Sequence, residues 1–363
     1  MPGGPAKADT LSLLVLGASY GLLPAVRIAL AGHRVSIVCR NAERQVLADH
    51  GASLTFLRRD GAPGKRLTMA ADHGAASIPA RLGLCATDVD PAGFDLVIIA
   101  MSEPQCADPE IAALIRRTAE AGRPILSLMN MPPASFMARF GAAWADRLRP
   151  AYAAWDCWQA VDPGRITAAS PDAQAIRPDP ARPQDLLITL GSNFRLAPFA
   201  DAHDQALLAR LVADVEAYRP DGVALPARLV HGGALGVPLS KWPMLAAGNC
   251  RALLPDGTPR TIAAAVCDDI DEARMVYGWT EAVIAGIAGA DASATIGFSL
   301  YARAAQSLRR PSSFARALAN GATQVERIDR MIQLAGAAQG MDLPQIDTIV
   351  ATVDRLLLRN RGA

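Results

Sequence analysis

The sequence predicts an α/β fold: a doubly wound, mostly parallel sheet followed by an all-helical C-terminal domain. Three observations lead there. Leu13 to Arg40 reads as strand, glycine turn, helix, tight turn, strand. Through Leu148, short apolar runs keep alternating with helical periodicity, the pattern of a parallel sheet covered by helices. Beyond Leu225 only helical patterns follow. The expected division is residues 9–222 and 223–363.

The elements justify themselves in order. Leu13 to Leu16 is a short apolar run, as in a strand buried on both faces. Gly17 and Gly21 bracket a turn, and Leu22 to Ala31 is helical. Pro24 falls in the first helical turn, where no intrahelical N–H is missed. Gly32-His33 ends the helix, and Val35 to Cys39 is the second strand. This is the opening βαβ of a Rossmann-type dinucleotide-binding domain, in which phosphates rest on N–H groups at a helix N-terminus.

The turn residues Gly17, Ala18, Ser19, Tyr20 and Gly21 form G-x-S-x-G rather than G-x-G-x-x-G. The same pattern marks the nucleophile elbow of α/β-hydrolases. An elbow follows several strands, whereas this turn follows the first, and none of the five histidines has an obvious triad context. A purely structural turn is the third reading; position favours the cofactor. Arg40 ends the second strand, with Arg44 one turn further on. NAD-binding folds carry an acid about 20 residues past the glycines. A guanidinium there can bind a phosphate bidentately, so NADP(H) is expected over NAD(H). The bland alternative is that Arg40 is a solvated strand-end residue.

Ala42 to His50 reads as a short helix, and residues 51–90 as short strands and loops. Asp95 to Met101 is a buried strand, Pro109 to Ala121 a helix capped by Gly122, and Ile125 to Met129 the next strand. Asn130-Met131-Pro132-Pro133 leaves that strand, and Ala134 to Leu148 is helical. Proline breaks then surround two candidate antiparallel edge strands, Ile166 to Ala169 and Asp185 to Leu190. A helix spans Ala202 to Tyr218. The remaining helices are placed at Pro238–Leu253, Thr261–Ala288, Ala292–Ser307, Ser312–Leu318, Thr323–Gly340 and Pro344–Leu358. A ligand cleft is expected between the two domains, at the carboxyl ends of the strands.

Composition narrows the function classes. With 363 residues the chain has room for two domains. No uncharged apolar run reaches membrane-span length. The first eight residues read as a loose tail rather than a signal peptide. Six dispersed cysteines without a C-x-x-C indicate reduced thiols, no zinc site and a cytoplasmic location. A net charge of +1 gives no case for nucleic acid or membrane surfaces.

Lys241 is the most conspicuous residue for chemistry. The chain has three lysines, Lys7, Lys65 and Lys241, and the last stands among Leu, Trp, Pro, Met and Ala. A desolvated lysine can donate a proton, whereas arginine effectively cannot. Asn249 lies eight residues on, two turns of an α-helix, and so shares its face. The structural alternative is a snorkelling lysine at a helix start.

With Lys241, Asn249 and the Asn130 turn, the chain resembles the ketopantoate reductase (2-dehydropantoate 2-reductase) family over nearly its full length. The resemblance implies a helical domain like the C-terminal domain of 6-phosphogluconate dehydrogenase. It gives Lys241 the catalytic proton, places Asn130 beside nicotinamide and substrate, and makes Asn249 and Ser312 substrate ligands. Met101, Ser102 and Gln105 match the family's cofactor segment Leu-Lys-Ala-x-Gln, with Ser102 in place of its lysine. The family's substrate glutamate is matched by counting back from Gly340, which lands on Gln324. A register two residues shorter selects Glu326 instead, on another helical face. Leu245 and Arg316 also depart from the family pattern. The implied activity is NADPH-dependent reduction of a 2-oxo acid, or a related carbonyl or imine, by a candidate homodimer. The rival is a non-catalytic NADPH-binding sensor whose site has drifted.

Overall fold

The computed structural model describes residues 10–58 and 60–362, so the expected N-terminal tail lies outside the described residues. These form two compact units, each discontinuous in sequence. The first contains residues up to 101, 108–129 and 160–231. The second contains 102–107, 130–159 and 232 onward.

Among the described residues, the first unit is built on twelve strands. They are β1 (Ser12–Leu16), β2 (Arg34–Val38), β3 (Ala52–Leu57), β4 (Pro63–His73), β5 (Arg81–Cys85) and β6 (Leu96–Ile99), followed by β7 (Ile125–Ser127), β8 (Ile166–Pro171), β9 (Gln174–Ile176), β10 (Asp185–Leu190), β11 (Phe194–Leu196) and β12 (Leu229–His231). Their order is β12-β11-β8-β7-β6-β1-β2-β5-β4-β3-β10-β9. β1 is flanked by β2 and β6, both parallel to it. The strand order therefore reverses at β1, and its carboxyl end is the switch point at which open α/β sheets bind ligands.

Helix α1 (Leu22–Leu30) follows that end and is buried along nearly its whole length. Even Arg27 is buried, its Nε donating to Pro226 O at 3.0 Å. Burial lowers the Arg27 pKa to about 10. Helices α2 (Asn41–His50), α3 (Pro109–Glu120) and α4 (Ala202–Ala217) complete the frame. Asp108 and Asp201 cap α3 and α4 through their side chains.

Several expectations are corrected. β8 is fully buried and runs parallel to β7, so it continues the winding rather than forming an antiparallel edge. β10 pairs parallel with β3 and antiparallel with β9, while β11 is antiparallel to β8. β12 lies beyond Leu225, where no strand was expected.

The second unit is helical among its described residues, and its helices are shorter than their periodicity suggests. Gly141, at φ +124°, splits the expected helix from Ala134 into Ala134–Met137 and Ala142–Leu148. Asp269 caps Ile270–Ala288 and separates it from Ile262–Cys267. Further helices span Phe298–Ala305, Ser313–Ala319, Ile328–Ala337 and Pro344–Asn360. Among the described residues no helix is long and apolar enough to cross a membrane.

Candidate active site

In the first unit the glycine turn occupies the switch point. Gly17 has φ +104°, and a Cβ there would stand 2.8 Å from Ala100 O. A Cβ on Gly21 would stand 2.1 Å from Gly17 O. Both positions therefore require glycine. Ser19 is exposed. Tyr20 is committed to the fold: its hydroxyl donates to Ala173 O at 2.7 Å and its ring meets Phe194 edge-on. Met101 follows β6 close to Gly17.

The carboxyl end of β2 presents Arg40, 82% exposed, paired with Glu43 at 2.9 Å. Arg44 donates to Asn41 Oδ1 at 2.8 Å. Arg177, which sequence reasoning missed, also pairs with Glu43 and donates to Ala18 O at 3.1 Å. It reaches the glycine turn from just past β9, so only tertiary structure brings it there. The two guanidiniums hold the Glu43 carboxyl below its usual range, against the opposing effect of burial.

The second unit gathers the remaining residues. Ser102 N–H and Oγ both donate to Gln105 Oε1 at 2.9 Å, closing the short turn. Within that turn lies Glu103, which the sequence reading passed over. It is 1% exposed, and its carboxylate accepts from Ala154 N–H at 2.8 Å, Ala153 N–H at 3.1 Å and Trp158 Nε1 at 3.2 Å. Its own N–H donates to Glu326 Oε1 at 3.3 Å. Glu326 also hydrogen-bonds the Asn130 side chain and feels the Lys241 cation. Desolvation, with a smaller contribution from the Glu103 charge, pushes the Glu326 pKa up to about 7 against the Glu103 N–H, the Asn130 side chain and the Lys241 charge. Among the described residues, Asn130 Oδ1 is buried without a hydrogen-bond partner.

The structure thus brings Asn130, Lys241 and Glu326 together and leaves Gln324 exposed. The count that favoured Gln324 assumed a continuous helix from Thr323. Residues 322–327 are not helical. The Ala322 and Thr323 carbonyls accept from Asn360 Nδ2 and Arg361 Nε. The helix starts only at Ile328, pinned by the Arg327–Asp329 ion pair at 2.9 Å.

Lys241 ends a 3₁₀ turn, Val237–Lys241, and is followed by one α turn and a π-helical turn, Leu245–Cys250. The regular α-helix behind the Lys241–Asn249 face argument is therefore absent. Two residues account for the irregularity. Pro243 cannot donate, and the Tyr301 hydroxyl donates to Met244 O at 3.1 Å. Gly248 makes room for that hydroxyl, since a Cβ there would stand 2.0 Å from it. Tyr301 is in turn stacked on Tyr277. Ser312 caps the helix Ser313–Ala319 and donates its hydroxyl to Asn249 O at 2.7 Å, so it fixes the Asn249 backbone. Leu245 is buried within the π turn.

No family model matches the chain, and no curated protein matches it in sequence. Solved structures do match. A PanE/ApbA family ketopantoate reductase from Ralstonia eutropha JMP134 superposes with TM-score 0.64 at 17% identity, over 96% of this chain and 99% of that one. The chain has the ketopantoate reductase fold. A dimeric ketopantoate reductase from Staphylococcus aureus matches at TM-score 0.60 and 13% identity, over 96% and 100%. D-mandelate dehydrogenase, in a ternary structure with NADH and anilino(oxo)acetate, matches at TM-score 0.64 and 15% identity, over 96% and 99%.

Proposed function

We propose that this chain is an NADPH-dependent oxidoreductase that reduces a 2-oxo acid, or a related carbonyl or imine, to the corresponding alcohol or amine. The observation that carries the reading is the meeting of Lys241, Asn130 and Glu326 in one unit. Negative charge develops on a carbonyl oxygen as hydride arrives. An ammonium held there stabilises that charge and supplies the proton. Asn130 keeps a buried acceptor, Oδ1, for a donor on cofactor or substrate. Asn249, held by Ser312, orients substrate, with Gln324 at the periphery.

The glycine turn fits a nicotinamide dinucleotide. Its two glycines form a cradle that a Cβ would fill, at the N-terminus of α1. Arg40, with Arg44 near it, would hold a 2′-phosphate, and Met101, Ser102 and Gln105 would add the further cofactor contacts. When bound, the nicotinamide supplies the hydride. D-Mandelate dehydrogenase, of like fold, is solved with NADH and anilino(oxo)acetate, which supports the substrate class and makes the choice of dinucleotide worth measuring. Exposed Met275, Ile296 and Leu300 in the second unit are candidates for a homodimer contact. The test is NADPH oxidation with a panel of 2-oxo acids and cyclic imines. Turnover with any of them supports the reading. Tight NADPH binding with no turnover across the panel replaces it with the sensor.

A further inference from the structure

Arg177 carries an inference that rests on the proposed NADPH site and deepens it. The arginine assigned to the 2′-phosphate does not stand alone. Arg40 caps the start of α2, and Glu43 lies in the first turn of that helix. Arg40 Nη2 donates to Glu43 Oε1 at 2.9 Å, and its Nε donates to Oε2 at 3.4 Å. A carboxylate at that place opposes phosphate binding in two ways. It repels the phosphate, and it competes for the guanidinium that would bind it.

Arg177 counters both effects. It follows β9, and its Nη1 pairs with the same Glu43 Oε1 that Arg40 uses. Its Nη2 donates to Ala18 O at 3.1 Å, within the glycine turn. Arg177 is therefore anchored at two points and is only 17% exposed, whereas Arg40 is 82% exposed. Of the two arginines, Arg177 is built into the fold and Arg40 is the one able to turn toward a ligand. Together with Glu43 they carry one net positive charge. Without Arg177, the Arg40–Glu43 pair is neutral.

We propose that Arg177 is a positioning residue that sets dinucleotide specificity: it holds Glu43 as a standing counter-ion and so releases Arg40 to bind the 2′-phosphate of NADPH. That phosphate brings about two negative charges at neutral pH. When Arg40 turns to it, Glu43 keeps its ion pair with Arg177 and is not left as an uncompensated, mostly buried charge. NADH offers a neutral 2′-hydroxyl at the same place and makes no such demand on Arg40. The Ala18 contact acts on both dinucleotides alike, because it braces the turn that they share.

The experiment is calorimetric titration with NADPH and with NADH, without substrate, in wild type, R177M, E43Q and the double variant. The readout is the ratio of NADPH to NADH affinity, in which a general loosening of the glycine turn cancels. R177M should lower the ratio about tenfold or more, as for a lost charge-assisted contact. The double variant should recover it, since Arg40 then has no carboxylate to leave. An unchanged ratio in R177M overturns the proposal, as does a double variant no better than R177M. If R177M does not fold, E43Q decides. It should hold or raise the ratio, and a lowered ratio would show that Glu43 aims Arg40 rather than competes for it, which overturns the proposal. A wild type that favours NADH overturns the cofactor choice and this inference with it. A wild type that favours NADPH beside an unmoved R177M ratio overturns this inference alone. A protein that shows the expected ratios but reduces no 2-oxo acid keeps this inference and loses the proposed reaction.

Discussion

At the residue scale, the proposed chemistry rests on a few groups whose states are set by their neighbours. Glu326 gives a pH dependence with a definite sign. Its folded pKa, about 7, exceeds its ordinary value of 4.5. Between those values the folded state binds more protons than the unfolded chain, so stability falls as pH rises through that window. Glu326→Gln should flatten this fall and raise the melting temperature relative to wild type above pH 7. Thermal unfolding of both proteins from pH 5 to 8 checks it, and parallel curves would contradict the assignment. Arg40 is the second test at this scale. Its guanidinium is exposed at the end of β2, so Arg40→Ala should weaken NADPH binding about tenfold or more, as for a lost charged hydrogen bond, and leave NADH almost unchanged. Equal losses for the two dinucleotides would remove Arg40 from phosphate recognition. Lys241 was legible in the sequence because isolation among apolar residues is a local property. Glu103 was not: its partners lie about 50 positions away at Ala153, Ala154 and Trp158.

At the element scale, backbone geometry decides. Gly17 combines a left-handed φ with a backbone oxygen 2.8 Å from where a Cβ would sit. Gly17→Ala should strain the turn by about 1–3 kcal/mol and suppress dinucleotide binding, measurable by fluorescence titration with NADPH. Wild-type affinity would show that the turn is only structural. Gly248 serves the π turn in the same manner. Tyr301 is packed against Tyr277 and cannot easily withdraw, so Gly248→Ala should cost about 1–3 kcal/mol by overpacking. Denaturant unfolding measures it, and a loss within error would mean that the turn tolerates the methyl. The first βαβ was readable because strand, turn and helix are written within one short stretch. The π turn was not, because it depends on Tyr301, far along the chain. The start of the helix at Ile328 was missed for a similar reason. Asn360 and Arg361, at the other end of the second unit's sequence, hold the preceding carbonyls out of helical geometry.

At the scale of the whole molecule, the alternation of strands and helices carried the fold class, and the chain does have the ketopantoate reductase fold. The strand pairings at both sheet edges were beyond reach. β10 joins β3 and β11 joins β8 through long-range contacts between short segments, and no local pattern encodes a partner. The central proposal is that Lys241 acts on the reacting oxygen as general acid. Comparing NADPH binding and NADPH oxidation in wild type and Lys241→Ala, with the best 2-oxo acid of a panel, tests it most directly. The account predicts unchanged NADPH affinity and turnover reduced about 10²–10⁴-fold, the range for loss of a general acid. Wild-type turnover in Lys241→Ala would contradict it.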